Sequence, residues 1–390
     1  MKRLGFALLI ICIAILAFTF YRISPLYNQT QQFSGYTLLS SSWEKYKEKF
    51  INADGRVLDF SQESITTSEG QSYAMLRAVW SDDKETFDKV WKWTKENMKR
   101  PDDALFTWRW GKLDDGTYGP LKNGGENAAS DADTDIALAL IFAAHRWNQE
   151  AYQDQAKVII ADIWDVETDV ANGKRYMIAG NWATDDQRIV VNPSYFAPYA
   201  WKIFAQVDDN DWNSLVTPSY ALLKQSGREK LDSDKGVGLA PDWVAVDKKT
   251  GALSATNLPN LTTNYSFDAV RTPWRITLDY MWNKDPQAKE YLESLSVLDD
   301  LYQKDGKLYA SYEHNGTPIQ TFESPTAYST ALGYFIVENP EVAEEIYQNK
   351  ILKLYSNDQN TFKDDIGYYE QNWLWFGAAL YNKQLIPYTK

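Results

Sequence analysis

From Tyr36 to the C-terminus the chain is written in helical period. Apolar residues return every three or four positions in segment after segment, joined by short links rich in Asp, Gly, Asn and Pro. Such segments run over 41–50, 70–80, 84–98, 135–147, 149–162, 194–204, 212–224, 271–283, 288–298, 326–337, 342–350 and 372–381. In the first, a capping serine opens a run that places Trp43, Tyr46 and Phe50 on one face; in the third, Phe87, Val90, Trp91 and Thr94 share a stripe. Strand signals appear only in pieces such as 244–246 and 307–309, and no βαβ pattern recurs. No sequence repeat of fixed period and no Pro-, Gly- or Ser-rich linker divides the run, so one all-α domain of about a dozen helices is expected. Periodicity alone leaves a bundle, a superhelix and a closed double ring open.

The N-terminus is different in kind. Lys2 and Arg3 precede an apolar stretch from Leu4 to Phe20, and Arg22 follows it. About 17 residues is the short limit for a membrane span. Cations ahead of the stretch keep the N-terminus cytoplasmic and export the rest. Ala14 and Ala17 are wrongly spaced for a signal-peptidase site and the nearby residues are bulky, so an uncleaved anchor is favoured over a secreted, cleaved form. The expected organisation is a transmembrane signal-anchor over 1–22, a short polar stalk over 23–35 and an extracytoplasmic domain over 36–390, the protein being a monomer.

Charge and residue usage exclude several functions. A net charge of −13 argues against nucleic acid or an anionic lipid surface as partner, both of which need clustered Lys and Arg. Contact with a membrane is therefore expected through the anchor only. The single cysteine, Cys12, lies in the apolar stretch, and only His145 and His314 supply imidazoles. No disulfide, metal or other cofactor is expected. The 16 Trp and 25 Tyr offer flat faces with a polar handle, on which sugar rings stack, although most of them are needed for a core.

Three segments place acids beside Gly, Trp or Arg at helix ends. The first is Ser68-Glu69-Gly70-Gln71-Ser72-Tyr73-Ala74-Met75, where Glu69 falls in a first helical turn; an acid there is also what the helix dipole alone would favour. The second is Ala129-Ser130-Asp131-Ala132-Asp133-Thr134-Asp135-Ile136-Ala137. Its alternating acids resemble the start of a calcium loop, but Ile136 and Phe142 stand where that loop needs Gly and Glu. A helix start capped by Ser130, with Asp133 closing a capping box, accounts for Asp133 but leaves Asp131 and Asp135 without a reason. The third, Asp268-Ala269-Val270-Arg271-Thr272-Pro273-Trp274-Arg275, holds an acid and a base one turn apart among bulky apolar residues. A surface ion pair contributes little, whereas a partly buried one is costly to place without a use.

Together and in this order, these three segments resemble the signatures of glycoside hydrolase family 8. Asn192-Pro193-Ser194-Tyr195-Phe196, Gly238-Leu239-Ala240-Pro241-Asp242-Trp243 and Tyr368-Tyr369 add to the likeness, which covers roughly Tyr36 to the C-terminus; Ala74 stands where the family more often has Gly. The resemblance implies an (α/α)6 barrel of six inner and six outer helices with a glycan cleft across one end. It implies endo-hydrolysis of a β-1,4-linked polysaccharide such as cellulose, xylan or chitosan, with inversion at the anomeric carbon; the expected anchor suits an enzyme that trims cellulose or a biofilm exopolysaccharide as the cell exports it. By the same resemblance Glu69 matches the proton donor, Asp268 the general base of the cellulase-like branch, and Asp131 the acid beside the sugar before the scissile bond. Tyr195 and Arg271 match residues around the water and base, while Trp108 and Trp110 fit a stacking platform. Asp133 and Tyr369 complete the expected substrate contacts.

Inverting hydrolysis needs one carboxyl that is protonated and one that is not, on opposite faces of the sugar and roughly 6.5–9.5 Å apart. A helix N-terminus favours the Glu69 anion, so something must oppose it. Repulsion from Asp131 aided by desolvation is the expected cause, with Arg271 holding Asp268 ionised. Two other readings compete: a non-catalytic glycan-binding or scaffold protein on the same barrel, and a polysaccharide lyase, which would use a Tyr or His base and cations against a uronate.

Overall fold

A computed structural model describes residues 35–232, 235–363 and 365–389. The expected anchor over 1–22 and the stalk as far as residue 34 lie outside the described residues. Among the described residues no helix is long and apolar enough to cross a membrane.

The described chain is mostly helical. After α1 (residues 35–50) come α2 (Ser68–Trp80), α3 (Lys84–Asn97), α4 (Ser130–Arg146), α5 (Glu150–Glu167), α6 (Pro198–Phe204) and α7 (Val216–Ser226). The second half holds α8 (Thr272–Asn283), α9 (Pro286–Ser294), α10 (Val297–Asp305), α11 (Pro325–Glu338), α12 (Pro340–Ile346) and α13 (Tyr368–Tyr381). Two helices more tightly enclosed than their neighbours show how the layers arise. α2 buries 12 of its 13 residues and α4 buries 15 of 17, whereas α3 buries 5 of 14 and α5 buries 6 of 18. A helix with small or apolar residues all round must be covered on every side, and a helix with one apolar stripe does the covering.

The packing follows that division. α2 packs on α4, α4 on α6, α6 on α8, α8 on α11, α11 on α13, and α13 returns to α2, which closes a ring. The helices between them in sequence lie outside: α3 against α2, α5 against α4, α9 against α7 and α8, and α12 against α11. α1 is fixed to α13, where Trp375 Nε1 donates to Leu39 O and Asn372 Nδ2 donates to the Tyr46 hydroxyl, both at 3.0 Å. The ring is tight enough that a Cβ on Gly377 of α13 would stand 2.7 Å from Ser329 O of α11, closer than such contacts allow. Inside it, Arg275 of α8 makes a two-pronged pair with Asp135 of α4 at 2.9 and 2.8 Å, which accounts for one of the acids left over from the capping reading.

Several boundaries differ from the sequence expectation. α4 starts at Ser130, ahead of the expected residue 135, and Ser130 is inside the helix rather than its cap: Ala129 takes the cap position without a side-chain bond. The expected segment 288–298 is two helices, α9 and α10. Residues 307–309 form only an isolated bridge, Tyr309 to Glu323, while 244–246 does lie in a strand, Val244–Asp247. Strands otherwise serve as short ties. β1 (Thr66–Thr67) leads into α2 and pairs with β2 (Arg109–Lys112), which pairs with β3 (Tyr118–Pro120).

Candidate active site

The N-termini of α2, α4 and α13 meet the turns that lead into α6 and α8 at one end of the ring. Their junction is a single guanidinium. Arg271 is 1% exposed, and its Nη1 donates to Glu69 Oε2 at 2.8 Å, to Asp131 Oδ2 at 3.1 Å and to the Tyr73 hydroxyl at 3.3 Å. Its Nη2 donates to Asp268 Oδ1 at 2.5 Å and to Ser194 Oγ at 3.1 Å. Three carboxylates from three separate stretches of chain thus share one cation, and helix N-termini behind two of them add partial positive charge.

Local structure explains how each acid is aimed. The Thr67 hydroxyl accepts from Gly70 N at 3.0 Å and so caps α2, leaving Glu69 in its first turn facing outward along the axis. Gly70 has a packing reason: a Cβ there would come within 3.2 Å of the Tyr368 ring and 3.3 Å of Thr67 Oγ1. That close approach lets the Tyr368 hydroxyl donate to Glu69 Oε1 at 3.3 Å. Asp131 sits in the first turn of α4, and Asp268 in the last residue before the turn Ala269–Arg271.

Above the guanidinium lies an open cleft of about 660 Å³. Glu69, Asp131 and Asp268 reach into it, together with Trp108, Trp182, Tyr195 and Trp243. Tyr195 meets Trp243 edge-on with ring centres 5.8 Å apart, and Trp182 lies 6.1 Å from Trp243. Trp108 is 39% exposed and is steadied by its Nε1 bond to Gly124 O at 2.7 Å. The cleft therefore has acids in its floor and flat rings on its walls.

Burial is the first influence on the Glu69 carboxyl and pushes it up to about 7; Arg271 pulls it down, and Asp131 and Asp268 push it up again. The expected ranking is thereby corrected, because desolvation leads and repulsion from Asp131 follows. With 23% of the side chain still facing the cleft, a bound sugar would exclude more water and act in the same direction. Asp268 also moves upward from the ordinary carboxylate range, burial outweighing Arg271, while polar contacts from Asn192 and Trp243 draw it back. Arg271 alone does not hold Asp268 at its ordinary value. The Tyr195 hydroxyl is held well above its usual range, first by burial and then by Asp131 and Asp268, so it remains a neutral donor.

Not every expected residue is brought to the cleft. Trp110 is buried between Trp93 and Tyr118, with Arg56 over its ring, and does not line the cleft. Strict alternation would set residues 108 and 110 on one face, but β2 begins only at Arg109, so the alternation does not extend back to Trp108. Asp133 is fully buried and closes no capping box. Its Oδ1 accepts from Phe106 N at 3.1 Å, and it forms a carboxyl pair with Glu167 in which burial holds both groups well above their ordinary values. Tyr369 is half-buried and donates to Phe267 O at 2.6 Å, which ties α13 to the Asp268 turn rather than offering its hydroxyl to the cleft. Tyr368, Trp182 and Trp243 also belong to the site; Tyr368 and Trp243 lie within the Tyr368-Tyr369 and 238–243 motifs, whereas no sequence pattern singles out Trp182.

A closed ring of helices carrying acids and exposed rings in one end-on cleft defines the chain as a helical carbohydrate-active protein. The profile described as Glycosyl hydrolases family 8 matches residues 23–374. The chain belongs to that family. It is 30% identical over 332 residues to Endoglucanase A of Acetivibrio thermocellus, an alignment that covers 80% of this chain and 64% of that protein. The chain therefore spans less than two thirds of that relative's length. To the Endoglucanase of Escherichia coli K12 it is 28% identical over 351 residues, covering 83% of this chain and 88% of the other. Among solved structures, endoglucanase Cel10 of Klebsiella pneumoniae superposes with a TM-score of 0.69 at 25% identity, covering 88% of this chain and 99% of that one.

Proposed function

We propose that the protein cuts a β-1,4-linked glucan internally and with inversion, Glu69 protonating the leaving oxygen and Asp268 activating the attacking water. The observation that carries this reading is the shared guanidinium: Glu69 and Asp268 lie on its two separate nitrogens, at 2.8 and 2.5 Å, and both open into one aromatic cleft. A carboxyl pushed up to about 7 retains its proton below that pH, as a general acid must. Asp131, on the same nitrogen as Glu69, is suited to contact the sugar on the non-reducing side of the bond, and Tyr195 to steer the water. Relatives named endoglucanase support the substrate class and the internal mode of attack. The alternation of enclosed and covering helices supports an (α/α)6 barrel.

The stereochemistry tests the mechanism directly. Proton NMR of freshly released cello-oligosaccharides is expected to show the α anomer first, with β appearing only by mutarotation. Initial β product would mean a covalent intermediate and would remove Asp268 from the role of base.

The same reading places the domain outside the cytoplasm, held by residues 1–22, on the strength of Lys2 and Arg3 ahead of the apolar stretch. An anchored enzyme is suited to trimming a polymer as the cell exports it. Full-length protein is expected in the membrane fraction after a high-salt wash, and protein lacking residues 1–22 in the soluble one. Release of the full-length chain by salt alone would contradict an apolar anchor.

A further inference from the structure

We infer that Asp242 is the positioning residue that fixes the backbone on both sides of Asp268, and so aims the base at its water. This rests on Asp268 being the base. One oxygen of Asp242, Oδ1, accepts from Ser266 N at 3.1 Å and from Ala269 N at 2.7 Å, the amides two residues before and one residue after Asp268. The other oxygen, Oδ2, accepts from the Ser266 hydroxyl. Asp242 is itself 3% exposed and does not line the cleft, so it acts on the reaction through Asp268 and its loop and not by touching the sugar.

Its own placement is rigid. Asp242 N donates to Asn264 O at 2.6 Å and Trp243 N donates to Thr262 O at 3.0 Å, so residues 242–243 lie paired with the segment that leads into the loop. On the far side Tyr265 exchanges two backbone bonds with Tyr312, each 2.9 Å. Trp243, the next residue, stands in the cleft and also makes a polar contact to the Asp268 side chain. One dipeptide thus sets the main chain of the base from behind and its carboxylate from the side. An apolar residue at 242 would strand the amides of Ser266 and Ala269 without an acceptor, and the loop would move to find water.

Burial first, and then the charge of Asp268, push the Asp242 carboxyl up to about 7, against the pull of its three donors. Both protonation states keep the same contacts, because the Ser266 hydroxyl can donate to a carboxylate or accept from a carboxylic acid. Asn is therefore a close mimic: its carbonyl can accept from both amides and its NH2 can donate to Ser266 Oγ.

The test compares Asp242→Ala, Asp242→Asn and Ser266→Ala with Asp268→Asn, reading kcat and KM on a soluble β-1,4-glucan and affinity for cello-oligosaccharide. Asp242→Ala is expected to lose about 10²-fold in kcat with KM and affinity little changed, the penalty of misplacing a catalytic group by an ångström or so. Asp242→Asn is expected to recover most of that loss. Parental kcat in Asp242→Ala, or an equal loss in Asp242→Asn, would overturn the positioning role. Should Asp242→Ala fail to fold, Ser266→Ala decides: a smaller fall in kcat at constant KM is expected, and parental kcat would refute the role. Asp268→Asn separates the two claims, since an active Asp268→Asn enzyme would dismiss the base assignment itself, whatever the Asp242 variants did.

Discussion

Replacing Glu69 with Gln is expected to abolish turnover of a β-1,4-glucan while cello-oligosaccharides still bind with nearly parental affinity. The amide keeps the volume and most of the contacts. Its carbonyl can accept from Arg271 Nη1 in place of the 2.8 Å bond, and its NH2 can donate to the Tyr368 hydroxyl, which now donates to Glu69. What it lacks is a proton to give. General acid catalysis contributes about 10²–10⁴-fold, so kcat should fall at least that far. The pH dependence gives a second readout. In the parent enzyme kcat/KM should decline as pH rises through about 7, because the acid loses its proton there. Any residual activity of the Gln variant should lack that alkaline limb. A variant that kept most of its turnover, or kept the limb at the same pH, would show that Glu69 is not the acid.

The helices and the acidic floor of the site could be read in the sequence because both are written locally. Enclosed helices such as α2 and α4 announce themselves by small and apolar residues, and Glu69, Asp131 and Asp268 each sit at a helix start within a distinctive local string. Contacts formed across the ring were not legible. Ser130 and Asp133 fit a capping box by spacing, yet Ser130 Oγ donates to Ile178 O and Asp133 serves Phe106 N, partners far away in sequence. The three acids of that segment seemed to repel one another, but each has its own partner: Arg271 for Asp131, Glu167 for Asp133, and Arg275 for Asp135. Trp108 and Trp110 look equivalent as letters, and only the start of β2 between them decides which one faces the cleft. Asp242 carries the same lesson, since its hydrogen bonds run to a loop more than twenty residues on and no periodicity points there.

Replacing Arg271 with Met should cost more than activity. The unbranched apolar side chain suits a buried position but ends short of the guanidinium, so the change removes the charge and its donors together with some packing. Removing one partner from a buried ionic cluster costs about 3–5 kcal/mol, because the remaining charges keep their desolvation and lose their compensation. Here the remainder is three carboxylates, Glu69, Asp131 and Asp268, with a Ser194 hydroxyl and a Tyr73 hydroxyl that no longer face a cation. The sign of the pH dependence follows from the same inventory. Arg271 lowers the carboxyls of Glu69 and Asp268, so without it both should rise further above their unfolded values. A group whose folded value is raised binds its proton more tightly in the native state, and the stability this gives is lost as pH climbs from the unfolded carboxylate range, about 4, towards the raised value. Urea melts should therefore show a larger deficit relative to the parent near pH 8 than near pH 5, with hydrolysis lost at both because Glu69 and Asp268 no longer share the guanidinium that holds them in place. Lys at 271 should recover little of the activity, since a single ammonium cannot present separate nitrogens to Glu69 and Asp268. A deficit that stayed constant with pH would mean that Arg271 contributes packing alone and that the three acids do not depend on its charge.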